Sequence, residues 1–332
     1  MFIIQNYPVA VAFCFITMLC WGSWANTTKL ADKSWRFELF YWDYAFGILL
    51  FSILFAFTLG STGSDGRSFL PDIRQADTLN LWSSFFGGVW FNLANILLGA
   101  AISIAGMSVA FPVGIGIALI MGVVVNYIDN PIGNPVILFG GVGLIAVAIL
   151  LNAYAYKKLN SGSKGVSTKG LILSVAAGLL MGIFYKYVAD SMFSDFSNPI
   201  PGKLSPYTAL VFFAIGIVAS NFIFNGFLMF KPFIGAPIPL KNYFQGSFKN
   251  HIVGFLGGII WNLGMSFSIL ASDKAGPAIS YGLGQGATIV AAIWGIFIWK
   301  EFKYAPKGTN IILNIMLVLY VVGLAMLIFS KA

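Results

Sequence analysis

Asp43 is the first residue in this sequence that could do chemistry. It stands in Tyr41-Trp42-Asp43-Tyr44 at the start of a long apolar run. A carboxylate inside a spanning helix costs roughly 2.5–3.5 kcal/mol on insertion scales, so one that is kept usually faces a cavity or carries a proton. Asp43 is therefore a candidate for proton coupling or for accepting a solute hydrogen bond. The plainer alternative places it close enough to an interface to pair with Lys29 or Arg36. Lys186 and Asp190, four residues apart, can pair on one helical face. Lys186 is the second coupling candidate, with a snorkelling outer-end ion pair as its alternative.

A second group could bind a solute without reacting with it. Asn92 and Asn95 share a helical stripe with Gly88 and Gly99, and Asn262 shares one with Gly258 and Ser266. An amide both donates and accepts, which suits a neutral solute rich in hydroxyl or amide groups. Amides and small residues also hold spanning helices together. That reading is preferred for Asn92 and Asn262, and solute binding for Asn95. Trp24 and Trp261 can stack on a flat ring or a sugar face, while Trp35, Trp42, Trp82 and Trp299 suit an interfacial aromatic belt. Tyr281 and Gln285, four apart, make a further polar face. Pro112, Gly114 and Gly116 form a candidate hinge. His251 is the only histidine, and it opens a helix near the membrane surface. With Cys14 and Cys20 it makes no metal-ligating cluster, and no nucleophile–base set is present. No cofactor is expected. Gly282-x-Gly284-x-Gly286 lies inside a helical run and reads as close packing, not as a nucleotide loop.

The elements that must position these groups are membrane helices. Hydrophobic residues make up 58% of the 332 residues and charged ones 9%, against roughly 25% charged in a soluble domain. Such a surface has to meet lipid. Ten runs approach the roughly 20 apolar residues needed for a crossing: 9–28, 39–60, 83–105, 108–128, 135–155, 170–190, 207–229, 252–271, 277–298 and 310–330. Turns are expected at Gly106 and at Gly276-Pro277. Long unbroken runs argue against a β-barrel. The segment Met1 to Pro8 has no basic stretch and no small-residue cleavage site, so the first run reads as a retained helix. The net charge of +8 comes from single Lys and Arg residues in connectors, which orients a membrane protein and does not point to nucleic acid. Connectors after runs one, five, seven and nine carry most of them, from Lys29 and Lys33 to Lys303 and Lys307. These connectors should be cytoplasmic, with both termini outside the cell membrane.

The chain also resembles itself. Gly87-Gly88 with Asn92-Leu93 recurs 170 residues later as Gly257-Gly258 with Asn262-Leu263, and Gly114 and Gly116 recur as Gly284 and Gly286. Trp21-Gly22 is echoed by Met181-Gly182 at a slightly shorter offset. The expected organisation is a first five-helix unit over 1–156, a cytoplasmic linker over 157–169 and a second unit over 170–332. An odd number of crossings per unit makes this a 5+5 inverted-topology repeat, the usual basis of alternating access in a secondary transporter.

Five plus five helices in this length resemble the drug/metabolite transporter superfamily. The nearer resemblance is to its ureide permease branch, with bacterial glucose/ribose porters beside it. Gly22-Ser23-Trp24 resembles that branch's Gly-x-Trp, and Tyr41-Trp42-Asp43-Tyr44 its Tyr-x-Asp-Tyr. Gly87-Gly88 leading to Asn95, Asn126-Tyr127, and the stretch from Ala275-Gly276 through Gln285 to Trp294-Gly295 and Glu301 continue the likeness over nearly the whole chain. Plant ureide permeases have a long central loop with a nucleotide-binding-like motif. Here that loop is short, and Gly162-Ser163-Lys164-Gly165 lacks Walker spacing. The resemblance implies a carrier for a small uncharged ureide or nucleobase-like solute, and Asp43, the least compensated carboxylate in the helices, makes proton symport the expected coupling. A sugar porter and a multidrug exporter of the same superfamily are the alternatives. The partners implied are the solute, a proton and the bilayer, with the chain a monomer or homodimer.

Overall fold

In a computed structural model the regular structure of the described residues is helical, with only isolated β-bridges besides. The structure describes residues 1–105, 107–159 and 167–331, and only the backbone of 107–109 and 111. The expected turn at Gly106 and the Gly162–Gly165 stretch of the linker lie outside the described residues.

Among the described residues ten helices are long and apolar enough to cross a membrane. They are α1 (Tyr7–Leu30), α2 (Phe37–Phe57), α3 (Thr78–Ala105), α4 (Met107–Asp129), α5 (Pro135–Leu159), α6 (Thr168–Ser191), α7 (Pro206–Phe230), α8 (Phe248–Ala275), α9 (Pro277–Ile298) and α10 (Thr309–Phe329). Side-chain caps set several starts: Asn6, Ser167, Ser205 and Ser247 each accept from a backbone N–H three residues on. Between α8 and α9 the chain turns at Gly276, whose φ of +84° is open to glycine, and Pro277 then opens α9. Two crossings are discontinuous. Helix α1 tightens into a 3-10 turn at Trp24, and α9 breaks at Gly286 and ends in a π turn over Trp294–Ile298.

The close helix contacts come in pairs. A Cβ on Gly88 of α3 would lie 2.0 Å from the Phe213 carbonyl oxygen of α7, and one on Gly258 of α8 would lie 2.1 Å from that of Tyr44 in α2. Only glycine allows backbones this near. Beside the first contact, Asn92 Nδ2 donates to Ser220 Oγ (2.9 Å); beside the second, Asn262 Nδ2 donates to Ser52 Oγ (2.7 Å). Hydrophobic burial contributes little between helices in lipid, so these contacts and amide bonds hold α3 to α7 and α8 to α2.

At the end of the bundle bearing both termini, the short helix Phe69–Gln75 brings Asp72 into a buried network. Its carboxylate accepts from the Ser205 N–H (2.7 Å) and the Arg67 guanidinium (3.0 Å), tying the α2–α3 connector to the start of α7.

Candidate functional site

A cavity of about 500 Å³ enters the bundle from the opposite end, between α1, α5 and α9 on one side and α2, α3 and α7 on the other. Its floor leads to an inner chamber of about 110 Å³, and Trp21, Trp24, Asn95, Leu98 and Ala291 line both. The chamber lies where the two discontinuous helices meet: Trp24 stands at the 3-10 turn of α1 and Gln285 just before the break of α9.

Aromatic planes wall this chamber. Phe91 and Trp261 pack at 4.2 Å between ring centroids, and Trp24 lies 4.6 Å from Tyr44. Trp261 is stacked on Trp21 within 10° of parallel, and the Trp21 Nε1–H donates to the Trp261 carbonyl (3.1 Å). The polar lining comes from Asn95, Gln285 and Thr288. Asn95 Nδ2 donates to the Tyr41 hydroxyl (3.1 Å), which orients the amide. Among the described residues no protein donor meets Asn95 Oδ1, and the Gln285 side chain has no protein partner. Among the described residues no charged side chain lines the chamber.

Of the other solute candidates, Asn92 and Asn262, for which helix binding was the preferred reading, are fully buried in the α3–α7 and α8–α2 contacts, away from the chamber. Their amides hold helix to helix because the flanking glycines bring the partner backbone against that stripe. Tyr281 is also displaced: its hydroxyl donates to the carbonyls of Met181 (2.9 Å) and Ala118 (3.2 Å), binding α9 to α6 and α4. Lys186 stands near the C-terminal end of α6, a third exposed, paired with Asp129 and Asp190. Trp299, expected in a lipid-facing belt, lines the cavity mouth and donates to Asn26 Oδ1 (2.7 Å). Pro112 faces the cavity inside a continuous α4, with Gly114 against Leu98 and open space beside Gly116.

Asp43 is fully buried, and its partners are not those anticipated. Lys29 sits over Trp299 and pairs with Glu301 (3.5 Å), and Arg36 is held by Glu38. The Asp43 carboxylate instead meets His251 Nδ1 (2.9 Å) and accepts from the Tyr243 hydroxyl (2.5 Å). Tyr243 and His251 went unassigned in the sequence because they lie 200 and 208 residues away. Glu38, Tyr156 and Glu301 were missed as cavity residues. Tyr156 donates to Glu301 Oε2 (2.7 Å), so the mouth carries a Lys29–Glu301–Tyr156 cluster.

Beyond the chamber the bundle is shut. The Tyr185 hydroxyl of α6 bonds the Ser268 carbonyl and hydroxyl of α8 (both 3.1 Å) and approaches Ser280 Oγ of α9 (3.3 Å), all buried.

The family model for ureide permeases matches residues 40–165 and 162–330. The chain belongs to the ureide permease family. The match divides in the linker that the sequence shows as shortened. Among curated relatives, Ureide permease 4 of Arabidopsis thaliana is 24% identical over 100% of this chain and 99% of its own length. Ureide permease 1 of the same plant is 22% identical over the same shares. A Streptococcus pyogenes protein named for sugar uptake is 23% identical over 96% of this chain and 97% of its own. A solved crystal structure superposes with a TM-score of 0.61 at 16% identity, covering 97% of this chain and 96% of that one, so the fold is shared. This permease is thus a multi-pass membrane transporter and not an enzyme.

Proposed function

We propose that this permease carries a small, planar, uncharged, nitrogen-rich solute of the ureide or nucleobase type by alternating access, driven by a proton gradient. The observation that carries this reading is the chamber. It offers aromatic faces, the free amide oxygen of Asn95 and the unspent amide of Gln285, with no charge among the described residues. An ionic solute would be desolvated there without a counter-charge. A flat ring bearing N–H and C=O groups finds faces to stack on and an edge to bond. The chamber lies at helix discontinuities, where substrate sites of inverted-repeat carriers occur.

Alternating access is supported by the paired contacts. Gly88 and Gly258 are related by the 170-residue offset of the sequence repeat and their partners Phe213 and Tyr44 by an offset of 169, and Phe91 meets its own repeat mate, Trp261, in the chamber wall. The open end carries the lysine-rich connectors, so this is the cytoplasm-facing form, with both termini outside.

The test is uptake into proteoliposomes of labelled allantoin, uracil, xanthine, ribose and glucose, with and without an inward proton gradient. Gradient-driven accumulation of a nitrogen heterocycle is expected. Accumulation of sugars alone would move the solute to the class named in the streptococcal relative, and no uptake at all would overturn the reading.

A further inference from the structure

We infer that the coupling proton binds apart from the solute, at a three-residue site made by Asp43, His251 and Tyr243, and exchanges with water through His251. The inference rests on the proton-driven reading above and adds the proton's location and route.

Asp43 of α2 is sealed. A Cβ on Gly254 of α8 would lie 2.5 Å from its Cβ, so α8 closes directly over it. Neither Asp43, His251 nor Tyr243 lines the cavity or the chamber. His251 alone of the two ionising partners reaches water, with its side chain 24% exposed against 0% for Asp43. A proton can therefore come and go at the cytoplasmic end without passing the solute.

The surroundings leave His251 and Asp43 to each other. Arg36 bonds Glu38 and the Ala236 carbonyl. Asp32 is held by Asn250 and Ser247 at the start of α8. Lys241 and Lys249 are exposed, and Trp35 presents its ring edge-on to the imidazole (5.3 Å). Burial and the Asp43 charge push the Tyr243 phenol well above its ordinary value, so it stays a donor to the carboxylate throughout. Histidine is the side chain whose ordinary titration lies near neutrality. With Nδ1–H kept on Asp43, loss of the second imidazole proton removes the positive charge that offsets the buried carboxylate, so the charged pair favours a closed α2–α8 seam with the 240–245 turn docked on it. Helix α2 connects this site to the solute. Tyr41 and Tyr44, beside Asp43, hold Asn95 and Trp24 in place.

Because the chain has a single histidine, the site can be read directly. In nanodiscs, protein labelled with 13C-histidine gives one imidazole signal to titrate, in the wild type, Asp43→Asn and Tyr243→Phe. In the wild type the midpoint should rise when allantoin or uracil saturates the chamber, and Asp43→Asn should abolish that rise. By linkage the rise is about one pH unit for each tenfold by which protonation tightens solute binding. In proteoliposomes His251→Gln and Asp43→Asn should lose gradient-driven accumulation by about tenfold or more while solute counterflow persists. Counterflow also shows that the variants are folded. If the wild type accumulates neither solute with the gradient, the proton-driven reading itself fails. A wild type that does so, with His251→Gln still coupled or a midpoint indifferent to solute, overturns this site alone.

Discussion

At the scale of single residues, Asn92 and Asn95 show what a short stretch of sequence can and cannot say. They lie three apart on one helix, and both are amides. Asn92 finds Ser220 Oγ and the Ile217 carbonyl of α7, whereas Asn95 bonds Tyr41 and keeps its oxygen for the chamber. Asn95→Ala should weaken binding of the transported solute by about tenfold, the order of one lost hydrogen bond to a buried partner, besides the modest loss of thermal stability in detergent that goes with its bond to Tyr41. Asn92→Ala should act on stability alone: solute affinity within error, and stability lower by about 0.6–1.7 kcal/mol, the range for interhelical hydrogen bonds in membranes. Equal loss of affinity in both would contradict the assignment. The repeat made the helix-binding role of Asn92 and Asn262 legible. The pairing of Asp43 was not, because periodicity reports which face a residue occupies and not which distant helix covers it. Its partner is separated by 208 residues.

At the scale of elements, the two ends of the bundle are closed and open by corresponding parts. Gly87 of α3 packs on Val188 of α6, and Gly257 of α8 on Thr27 of α1. This sets α6 against α1 at an offset near 160 residues, beside the 170 that relates α8 and α9 to α3 and α4. The Tyr185–Ser268–Ser280 seal then corresponds to Ala25, Leu98 and Ala110. Ala25 and Leu98 both line the cavity. Closing the cytoplasmic end should bring Ala25 onto Leu98, an apolar contact in place of the hydrogen-bonded one. In a background with Cys14 and Cys20 replaced by alanine, Ala25→Cys with Leu98→Cys should crosslink only when turnover or a bound solute populates the outward-open form. Tyr185→Phe, which strips the outer seal of its hydroxyl, should raise that crosslinked fraction several-fold. No crosslink under any condition, together with no effect of Tyr185→Phe, would show that the helices move by another path. Sequence placed all ten helices within a few residues, because hydropathy over twenty positions is a strong signal. It did not show the 3-10 turn at Trp24 or the break at Gly286, since each depends on what packs beside it.

At the scale of the whole molecule, charge and cavity make one argument about direction. The end that the 500 Å³ cavity enters is the end where Lys29, Lys158, Lys231 and Lys303 leave the bundle. The opposite end is laced shut by Asp72, Arg67 and Ser205 and carries both termini. Positive connectors stay in the cytoplasm during insertion, so in the orientation proposed above the form seen here is the one that releases an imported solute or collects an exported one. In intact cells a membrane-impermeant maleimide should label Phe2→Cys readily and Tyr304→Cys only after permeabilisation. The reverse pattern would turn the molecule over. It would leave the chamber and its solute class intact, but it would place His251 outside, where an inward gradient loads the proton from the same face as the cavity. Labelling therefore fixes which way a gradient must point for the Asp43–His251 site to drive uptake.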